Sequence, residues 1–416
     1  MTGTVPAVRG LPTGNIPDLL RDGYDAVLLA GFGGPEGPDD VMPFLRNVTR
    51  GRGIPEERLV EVSHHYQALG GSSPINEQNR QLQTALQSEL HRRGLDIPVL
   101  WGNRNWAPYL ADVISAAHHD GRVRLLGLAT SAYSSYSSCR QYREDFGMAL
   151  SATGLVGAVR IDKVRPYFDR PGFWQIFAEG TVAALRTAIA AGLDLADVEV
   201  VFTTHSVPTT MAATSGSAEF GDHGHGGAYV TQHLAVADAV MDRVRAELGG
   251  QPSWQLAYQS RSGPPSMPWL EPDINDVIDD LAGAGRRGLV VVPIGFVSDH
   301  VEVIWDLDNE AAETASGHGL FFARVGTPGS DPRFVAALVD LVAERLGAGR
   351  LGAGPGCADE LPGATRRPDF CAAECCVNSR ATRPTTAAVD SADDWADLDV
   401  DPTLLAASGI RGVTKR

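Results

Sequence analysis

The chain has 416 residues, enough for two or three domains, and 43% of them are hydrophobic, enough for substantial cores. Its 51 acidic residues outnumber its 35 basic ones, which gives a net charge of −16. A surface of this sign repels nucleic acids and anionic lipids, so it argues against a nucleic-acid-binding protein and leaves room only for a local basic pocket.

No stretch of the sequence approaches the roughly 20 apolar residues that a membrane-spanning helix needs. Residues 1–22 contain no continuous apolar segment of the kind that marks a signal peptide, and we expect a flexible leader there. The sequence therefore predicts a cytoplasmic protein without an integral membrane segment.

Short apolar runs of strand length alternate with helical patterns along most of the chain. The predicted strands lie within 24–34, 97–104, 123–131, 156–164, 198–208, 254–264, 288–300 and 321–328. The predicted helices cover 37–47, 55–69, 74–93, 107–119, 138–150, 171–192, 228–247, 273–284 and 331–346. This alternation is typical of parallel sheets with crossover helices.

The two series of elements have a similar layout, so we predict an α/β fold of two doubly wound, Rossmann-like halves. The first half is expected at 23–165 and the second at 166–347, with a ligand cleft between them beyond the carboxyl ends of the strands. A cysteine-rich extension follows at 348–380. An Ala/Thr/Asp-rich tail at 381–416 is expected to be disordered.

The glycine turn after the first strand, residues 31–37, does not have the spacing of a dinucleotide-binding loop. Its glycines do not follow G-x-G-x-x-G, and Pro35 removes a backbone donor where a phosphate would bind. We therefore predict no nucleotide cofactor. A tight turn, or close approach of a flat ligand to the backbone, explains the glycines better.

Polar residues follow two of the predicted buried strands in the second half. His205 ends one strand, and Asp299, His300 and Glu302 follow another. Acidic residues in such a position are costly to bury unless they bind something. Histidine with carboxylate suits both ferrous iron and proton abstraction. A solvated helix start explains Asp306, Asp308 and Glu310 equally well.

Two segments of the first half have the composition of a binding wall. Residues 131–145, SAYSSYSSCRQYRED, are rich in hydroxyl and aromatic groups, and residues 64–76 join a helix end to a new helix start at Ser72-Ser73-Pro74. A helix N-terminus favours carboxylates. A polar hinge and a wall for a planar acidic ligand both remain open.

Six motifs in this order resemble the ferrochelatase family over residues 24–347. They are LLAGFGGPEGPDDVMPFLRNV, HHYQALGGSSPIN, TSAYSSYSSCRQY, TTHSVP, YQSRSGPPSMPWLEP and GFVSDHVEVIWDLDNEA. The resemblance implies a two-lobed chelatase that inserts Fe²⁺, its metal substrate, into a porphyrin. It implies that His205 and Glu302 form the iron-side pair and that Asp306 and Glu310 lie on a metal path.

The resemblance also implies which residues contact the porphyrin. Phe32 would meet the opposite face of the ring, with His65, Tyr66, Ser73 and Tyr142 near its edge and propionates, and with Arg50, Arg140 and Ser72 as further donors. Many coproporphyrin-using relatives carry Tyr where this chain has Phe32. Because Phe cannot ligate iron, either this face of the iron is unligated or another group serves.

The five cysteines divide into Cys139 and a C-terminal set, Cys357, Cys371, Cys375 and Cys376. In a reducing compartment such a set indicates a metal rather than disulfides. Some ferrochelatases resemble this chain in carrying a 2Fe–2S cluster on one mid-chain and three C-terminal cysteines. The resemblance implies Cys139, Cys357, Cys371 and Cys376 as ligands, with Cys375 as the alternative to Cys376. A zinc site or reactive thiols remain alternatives.

The acidic, cluster-bearing form of the family implies coproporphyrin III as the substrate and coproheme as the product. Protoporphyrin IX, a cobalt or sirohydrochlorin chelatase, and a non-catalytic porphyrin carrier are the alternatives. A nucleotide-dependent oxidoreductase fits less well because of the glycine spacing. Expected partners are the porphyrin and, transiently, neighbouring enzymes of haem synthesis.

Overall fold

The computed structural model describes residues 23–51, 53–216, 224, 226–263, 266–347, 361, 375–378 and 383–386. Two four-stranded sheets form its framework, and every strand pairing in both is parallel. The strand orders, 2-1-3-4 and 6-5-7-8, are equivalent in the two sheets. The prediction of an α/β fold with two doubly wound halves is confirmed.

The first half contains four strands, β1 to β4, and the helices between them. Its strands are β1 (Ala26–Gly31), β2 (Val99–Asn103), β3 (Arg124–Ala129) and β4 (Arg160–Lys163). Its helices are α1 (Val41–Val48), α2 (Glu56–Ala68), α3 (Ile75–Arg92), α4 (Leu110–His119) and α5 (Gln141–Thr153), the last preceded by a short π-helix at Tyr136–Arg140.

The second half repeats this pattern. Its strands are β5 (Val198–His205), β6 (Ser253–Gln259), β7 (Gly288–Val292) and β8 (Phe321–Arg324). Its helices are α6 (Pro171–Ala190), α7 (Thr209–Ala213), α8 (Gly227–Leu248), α9 (Ile274–Gly283), α10 (Val301–Val303), α11 (Ala312–Gly317) and α12 (Pro332–Arg345). A π-helix at Ile304–Ala311 joins α10 to α11.

Both faces of each sheet are buried, as the apolar runs predict for parallel strands. In β1, Val27 and Leu29 belong to one core, whereas Ala26, Leu28 and Ala30 belong to another on the opposite face. The first of these cores also contains Val198, Val200 and Phe202 of β5. The two halves therefore share one continuous hydrophobic core.

The last helix, α12, connects the halves further, because it packs against both α3 and α6. Arg345 near its end is buried and donates a hydrogen bond to Asp162 of β4 at 3.3 Å. Arg93, one residue past α3, forms an ion pair with Asp340. The proposed boundary at residue 165 thus separates two sequence segments whose helices pack on each other.

Residues 383–386, which continue the C-terminal extension into the predicted tail, lie against α5. Arg143 donates from Nε to the carbonyl of Thr386 at 2.9 Å, and a Cβ at Gly147 would overlap the carbonyl of Pro384. Within the described residues, no helix is both long and apolar enough to cross a membrane. The predicted leader and most of the predicted tail lie outside the described residues.

Candidate active site

His205 is the last residue of β5 and therefore lies at the carboxyl edge of its sheet. Its backbone carbonyl accepts a hydrogen bond from Tyr229 of α8 at 2.9 Å. Its ring nitrogen Nδ1 lies 2.5 Å from the carbonyl oxygen of Ser206. A carbonyl only accepts, so Nδ1 carries a proton, and in the neutral form of the ring Nε2 is the nitrogen with the lone pair.

Glu302 faces this lone pair from α10. Its Oε2 atom lies 3.8 Å from His205 Nε2, and the two side chains are 50% and 35% exposed. Their exposure leaves the space between them open to a ligand. The structure thus brings together the two residues that the sequence placed after separate strands.

A line of acidic residues continues from Glu302 along the helix. Asp306 accepts hydrogen bonds from the hydroxyl of Ser260 and, at 3.2 Å, from the amide of Gln259. Burial raises the pKa of Asp306 to about 7, opposed by the Ser260 hydrogen bond and reinforced by the charges of Glu302 and Glu310.

Glu310 ends this line and also interacts with an aromatic stack. It accepts a hydrogen bond from Trp305 Nε1 at 2.8 Å. The Trp305 ring stacks on His65 of α2, with centroids 4.3 Å apart and planes 9° from parallel. Partial burial lowers the pKa of His65, so its ring is held towards the neutral form. This stack joins the two halves beside the acidic line.

Tyr66, the neighbour of His65, lies in an aromatic cluster of the first half. It packs with Phe44, whose ring centroid is 5.9 Å away, and Phe44 in turn contacts Phe32 at 6.3 Å. Val301 of α10 belongs to the same cluster. Burial and then the charge of Glu302 raise the pKa of Tyr66. The aromatic cluster therefore packs against α10, and Tyr66 is its member close to Glu302.

Arg104 follows β2 directly and was not predicted as a site residue. Its guanidinium lies 6.0 Å from the ring centroid of Phe32 and 4.2 Å from that of Tyr142, and it forms a buried ion pair with Asp145. Tyr142 is itself only 4% exposed. Arg104 directly follows a buried strand, where ligands bind in such folds, and this position could have identified Arg104 from the sequence.

Ser73 and Arg50 are the two remaining predicted porphyrin contacts of the first half. Ser73 is buried against Gly34, and its amide donates to the carbonyl of Pro35 at 2.8 Å. Arg50 is exposed, two residues beyond α1. The N-cap residue Pro74 provides no side-chain cap for the helix that begins at Ile75, and the amide of Ile75 donates to the hydroxyl of Ser73 at 3.5 Å.

Much of the hydroxyl-rich segment 131–145 is structural. Ser134 exchanges two hydrogen bonds with Gln232 of α8, at 2.8 and 2.9 Å, and Tyr133 donates to the carbonyl of Ile294 at 2.9 Å. These groups join the two halves, as a polar hinge would. Tyr142 and Asp145 are the residues of the segment that contact Arg104.

Three of the five cysteines are described, and all three are buried. Cys139 lies on the π-helix at 136–140, whereas Cys375 and Cys376 have sulfur atoms 3.8 Å apart. Gly216 donates its amide proton to the sulfur of Cys376 at 3.2 Å. Asn378 donates to Tyr136 at 3.0 Å, which places the extension on the helix that carries Cys139.

Cys357 and Cys371 of the predicted four-cysteine set lie outside the described residues. Among the side chains that are described, no group of three or more His, Cys, Asp or Glu residues is arranged to hold a metal ion. The described cysteines are buried and lie on two segments that are joined by the hydrogen bond from Asn378 to Tyr136.

The paired sheets and the facing histidine and carboxylate define an α/β enzyme with a site at the strand ends between two halves. The sequence matches the ferrochelatase family over residues 24–346, and the chain therefore belongs to that family.

Two relatives, from Leifsonia xyli subsp. xyli and Streptomyces coelicolor, are named coproporphyrin III ferrochelatase. The first is 52% identical over 91% of this chain and 97% of its own length, and the second is 52% identical over 90% and 99%. Among solved structures, SirB from Bacillus subtilis with Fe³⁺ is similar at a TM-score of 0.42 and 11% identity, covering 81% of this chain and 98% of SirB.

Proposed function

We propose that this ferrochelatase inserts Fe²⁺ into coproporphyrin III to give coproheme. The observation that carries the proposal is the His205–Glu302 pair, with a free ring nitrogen 3.8 Å from a half-exposed carboxylate. The names of the relatives with 52% identity support coproporphyrin III as the substrate.

Metal insertion requires that two pyrrole N–H protons leave the porphyrin and that water leaves the iron. His205 suits the first task, because its Nδ1 proton is fixed on the carbonyl of Ser206 and Nε2 can accept. Glu302 suits the second, because a carboxylate oxygen replaces water on Fe²⁺. Both groups would act on one face of the ring.

Asp306 and Glu310 would form the path by which iron reaches Glu302. They continue the acidic line along one helix, and the pKa of Asp306 of about 7 means that its charge depends on conditions near neutrality. An approaching cation would favour the ionised form. Each carboxylate would bind the ion briefly and then release it to the next carboxylate along the helix.

Phe32 would cover the opposite face of the porphyrin, with His65, Tyr66 and Ser73 nearer its edge. Tyr142 would support this wall from behind, since Arg104 covers its ring. Arg50 is exposed and suits a propionate at the rim. Phe32 offers no ligand to the iron, so the product would be held on this side by packing alone.

A 2Fe–2S cluster would be held by Cys139, Cys357, Cys371 and Cys376, with Cys375 as the alternative to Cys376. The burial of Cys139 and Cys376 and the amide that points at the Cys376 sulfur support thiolate ligation. Such a cluster supplies an iron centre separate from the iron that is inserted.

Two further proposals concern the setting of the reaction. The enzyme would work in the cytoplasm, and it would make transient contacts with neighbouring enzymes of haem synthesis that supply the porphyrin and take the product.

The main test is anaerobic incubation of the purified protein with Fe²⁺ and either coproporphyrin III or protoporphyrin IX, followed by absorption spectroscopy. We expect metallation of coproporphyrin III at the higher kcat/KM, and a loss of at least about 100-fold in kcat for His205→Ala. His318→Ala, at an exposed histidine paired with Asp279, is the matched control. Failure to metallate either porphyrin overturns the proposal, and binding without metallation indicates a carrier.

The cluster is tested on protein purified anaerobically. We expect about two non-haem irons and two sulfides per chain, with visible absorption that Cys139→Ser abolishes. Comparing Cys375→Ser with Cys376→Ser assigns the fourth ligand. Colourless protein containing one zinc per chain would contradict the cluster.

A further inference from the structure

We propose that Arg324 is a positioning residue that holds Glu302 opposite His205. It would do so by fixing the backbone on both sides of Glu302, and the inference rests on the proposed function of that pair. Arg324 does not contact Glu302, and nothing in the reaction requires it to touch the substrate.

Arg324 is the last residue of β8, at the edge of the second sheet, and its side chain is 15% exposed. Its Nη1 atom donates to Asp299 Oδ1 at 2.9 Å. Its Nε and Nη2 atoms donate to the two carboxylate oxygens of Asp308 at 2.5 and 2.9 Å. One guanidinium thus joins residues 299 and 308, and Glu302 lies in the segment between them.

The geometry of these bonds makes the connection rigid. The contact with Asp308 is bidentate, which fixes orientation as well as distance. Burial opposes the charge of Arg324, but the hydrogen bonds and charges of Asp308 and Asp299 outweigh it and raise its pKa. Arg324 therefore stays charged, and both carboxylates keep their partner.

Asp299 is also held from the first half. Gln78 of α3 donates its side-chain amide to the backbone carbonyl of Asp299 at 3.0 Å. The loop before α10 is therefore fixed from two directions, by β8 of its own half and by a helix of the other.

Glu302 depends on this support because little else holds its side chain. Among the described residues, its carboxylate accepts no hydrogen bond, and its one ion-pair partner is His205. The position of its carboxylate is thus set by the backbone of α10, whose Glu302 carbonyl also accepts a hydrogen bond from Gln259 at 3.5 Å. A backbone fixed at residues 299 and 308 is what keeps Oε2 within reach of Nε2.

Replacing Arg324 should therefore slow metal insertion without weakening porphyrin binding. For Arg324→Gln we expect kcat to fall about tenfold or more, because misplacement of a reacting group by about 1 Å can cost about 100-fold. The Kd for coproporphyrin III, measured by fluorescence quenching, should stay within about twofold. Arg324→Lys should not restore kcat, because one ammonium cannot bind Asp299 and both carboxylate oxygens of Asp308 at the same time.

The matched control is Arg287→Gln. Arg287 lies just before β7, where the strands of the same sheet begin, whereas Arg324 lies where they end. It pairs with Asp197 at 3.1 Å. This variant should retain wild-type kcat. If Arg324→Gln fails to fold, Asp308→Asn tests the same connection and should lower kcat in the same direction.

The decisive measurement combines Arg324→Gln with Glu302→Gln. If Arg324 acts through Glu302, the double variant should be no more than about twofold slower than Glu302→Gln alone. A full additional loss in the double variant, a kcat for Arg324→Gln within twofold of wild type, or a parallel rise in porphyrin Kd would overturn the positioning role. These outcomes require an active wild type, whereas a wild type that metallates no porphyrin overturns the proposed function itself.

Discussion

At the scale of single residues, one hydrogen bond decides what His205 can do. With Nδ1 protonated and bound to Ser206, Nε2 is an acceptor directed at Glu302. His205 is the last residue of β5, whereas Glu302 lies on α10, which follows β7. Parallel strands bring such residues to a common edge, so a site can be assembled from positions almost 100 residues apart in sequence.

Glu302→Gln preserves the shape of the side chain and removes its charge. We expect kcat for Fe²⁺ insertion to fall by at least about 100-fold, because the amide is a poor iron ligand and cannot help to remove protons. Porphyrin Kd should change by less than about twofold, as measured by fluorescence titration. Glu313→Gln, an exposed position further along the same helix, should have wild-type kinetics.

The raised pKa of Asp306 predicts that the stability of the metal-free protein depends on pH. Its folded pKa of about 7 lies above its ordinary value of 3.8, so between about pH 4 and pH 7 the folded state holds a proton that the unfolded state releases. The tighter binding of this proton by the folded state contributes fully to stability below pH 4, and the contribution is lost as the pH rises to 7. The amide of Asp306→Asn does not ionise, so the stability of that variant has no such loss.

The Tm of Asp306→Asn minus the Tm of wild type should therefore be more positive at pH 8 than at pH 5. Both values are measured with a chelator present. Asp280→Asn, at an exposed carboxyl on α9, should show the same Tm difference at both pH values. A Tm difference for Asp306→Asn that does not change with pH would contradict the raised pKa.

At the scale of elements, the contact between the extension and α5 is close enough to be disrupted by one methyl group. A Cβ at Gly147 would overlap the carbonyl of Pro384. The same helix carries Tyr142 and Asp145, which contact Arg104 beside Phe32. The extension thus lies on the outer side of the helix whose inner side supports the aromatic wall.

Gly147→Ala should displace residues 383–386 and expose the vicinal cysteines. We expect faster C-terminal proteolysis, faster reaction of Cys375 and Cys376 with a thiol reagent, and a loss of about 1–3 kcal/mol in unfolding free energy. At Gly283 an added Cβ would meet nothing within 4 Å, so Gly283→Ala should be neutral or slightly stabilising. Equal behaviour of the two variants would show that the contact is unimportant.

At the scale of the whole molecule, the shared core and α12 join the halves. Asp162 of β4 accepts hydrogen bonds from Tyr24 at 2.8 Å, from Arg160 at 2.8 Å and from Arg345 of α12 at 3.3 Å. Both Asp162 and Arg345 are almost fully buried. These residues come from the beginning, middle and end of the family-matched region.

Asp162→Asn removes the buried carboxylate that forms an ion pair with Arg345, and breaking a buried pair by removing one member typically costs about 3–5 kcal/mol. Urea unfolding followed by tryptophan fluorescence should show one transition, shifted to lower urea, since Trp101 and Trp106 report on the first half and Trp254 on the second. Asp120→Asn, in an exposed pair with Arg122, should cost no more than about 1 kcal/mol. Two separate transitions in the wild type would contradict a shared core.

The sequence predicted the parts of this molecule that depend on local pattern. The strand-length apolar runs predicted the two parallel sheets, and His205 and Glu302 were placed by their position after strands. Arg104 and Arg324 were not recognised, because their importance comes from contacts with Asp145, Asp299 and Asp308. The packing of α12 on α3 was missed for the same reason, since it joins segments some 250 residues apart that no local period connects.

The π-helix at Ile304–Ala311 has a consequence for how this region tolerates length changes. In the helical segment from Val301 to Gly317, three acidic residues recur every four positions, at 302, 306 and 310, and four buried residues do the same, at 303, 307, 311 and 315. In an α-helix of 3.6 residues per turn, a stripe of period four rotates by about 40° at each repeat, or about 120° from Val303 to Ala315. The wider π-turn offsets that drift and keeps both stripes straight. Removing a single residue here would turn the acidic stripe away from His205 while leaving the composition of the helix almost unchanged.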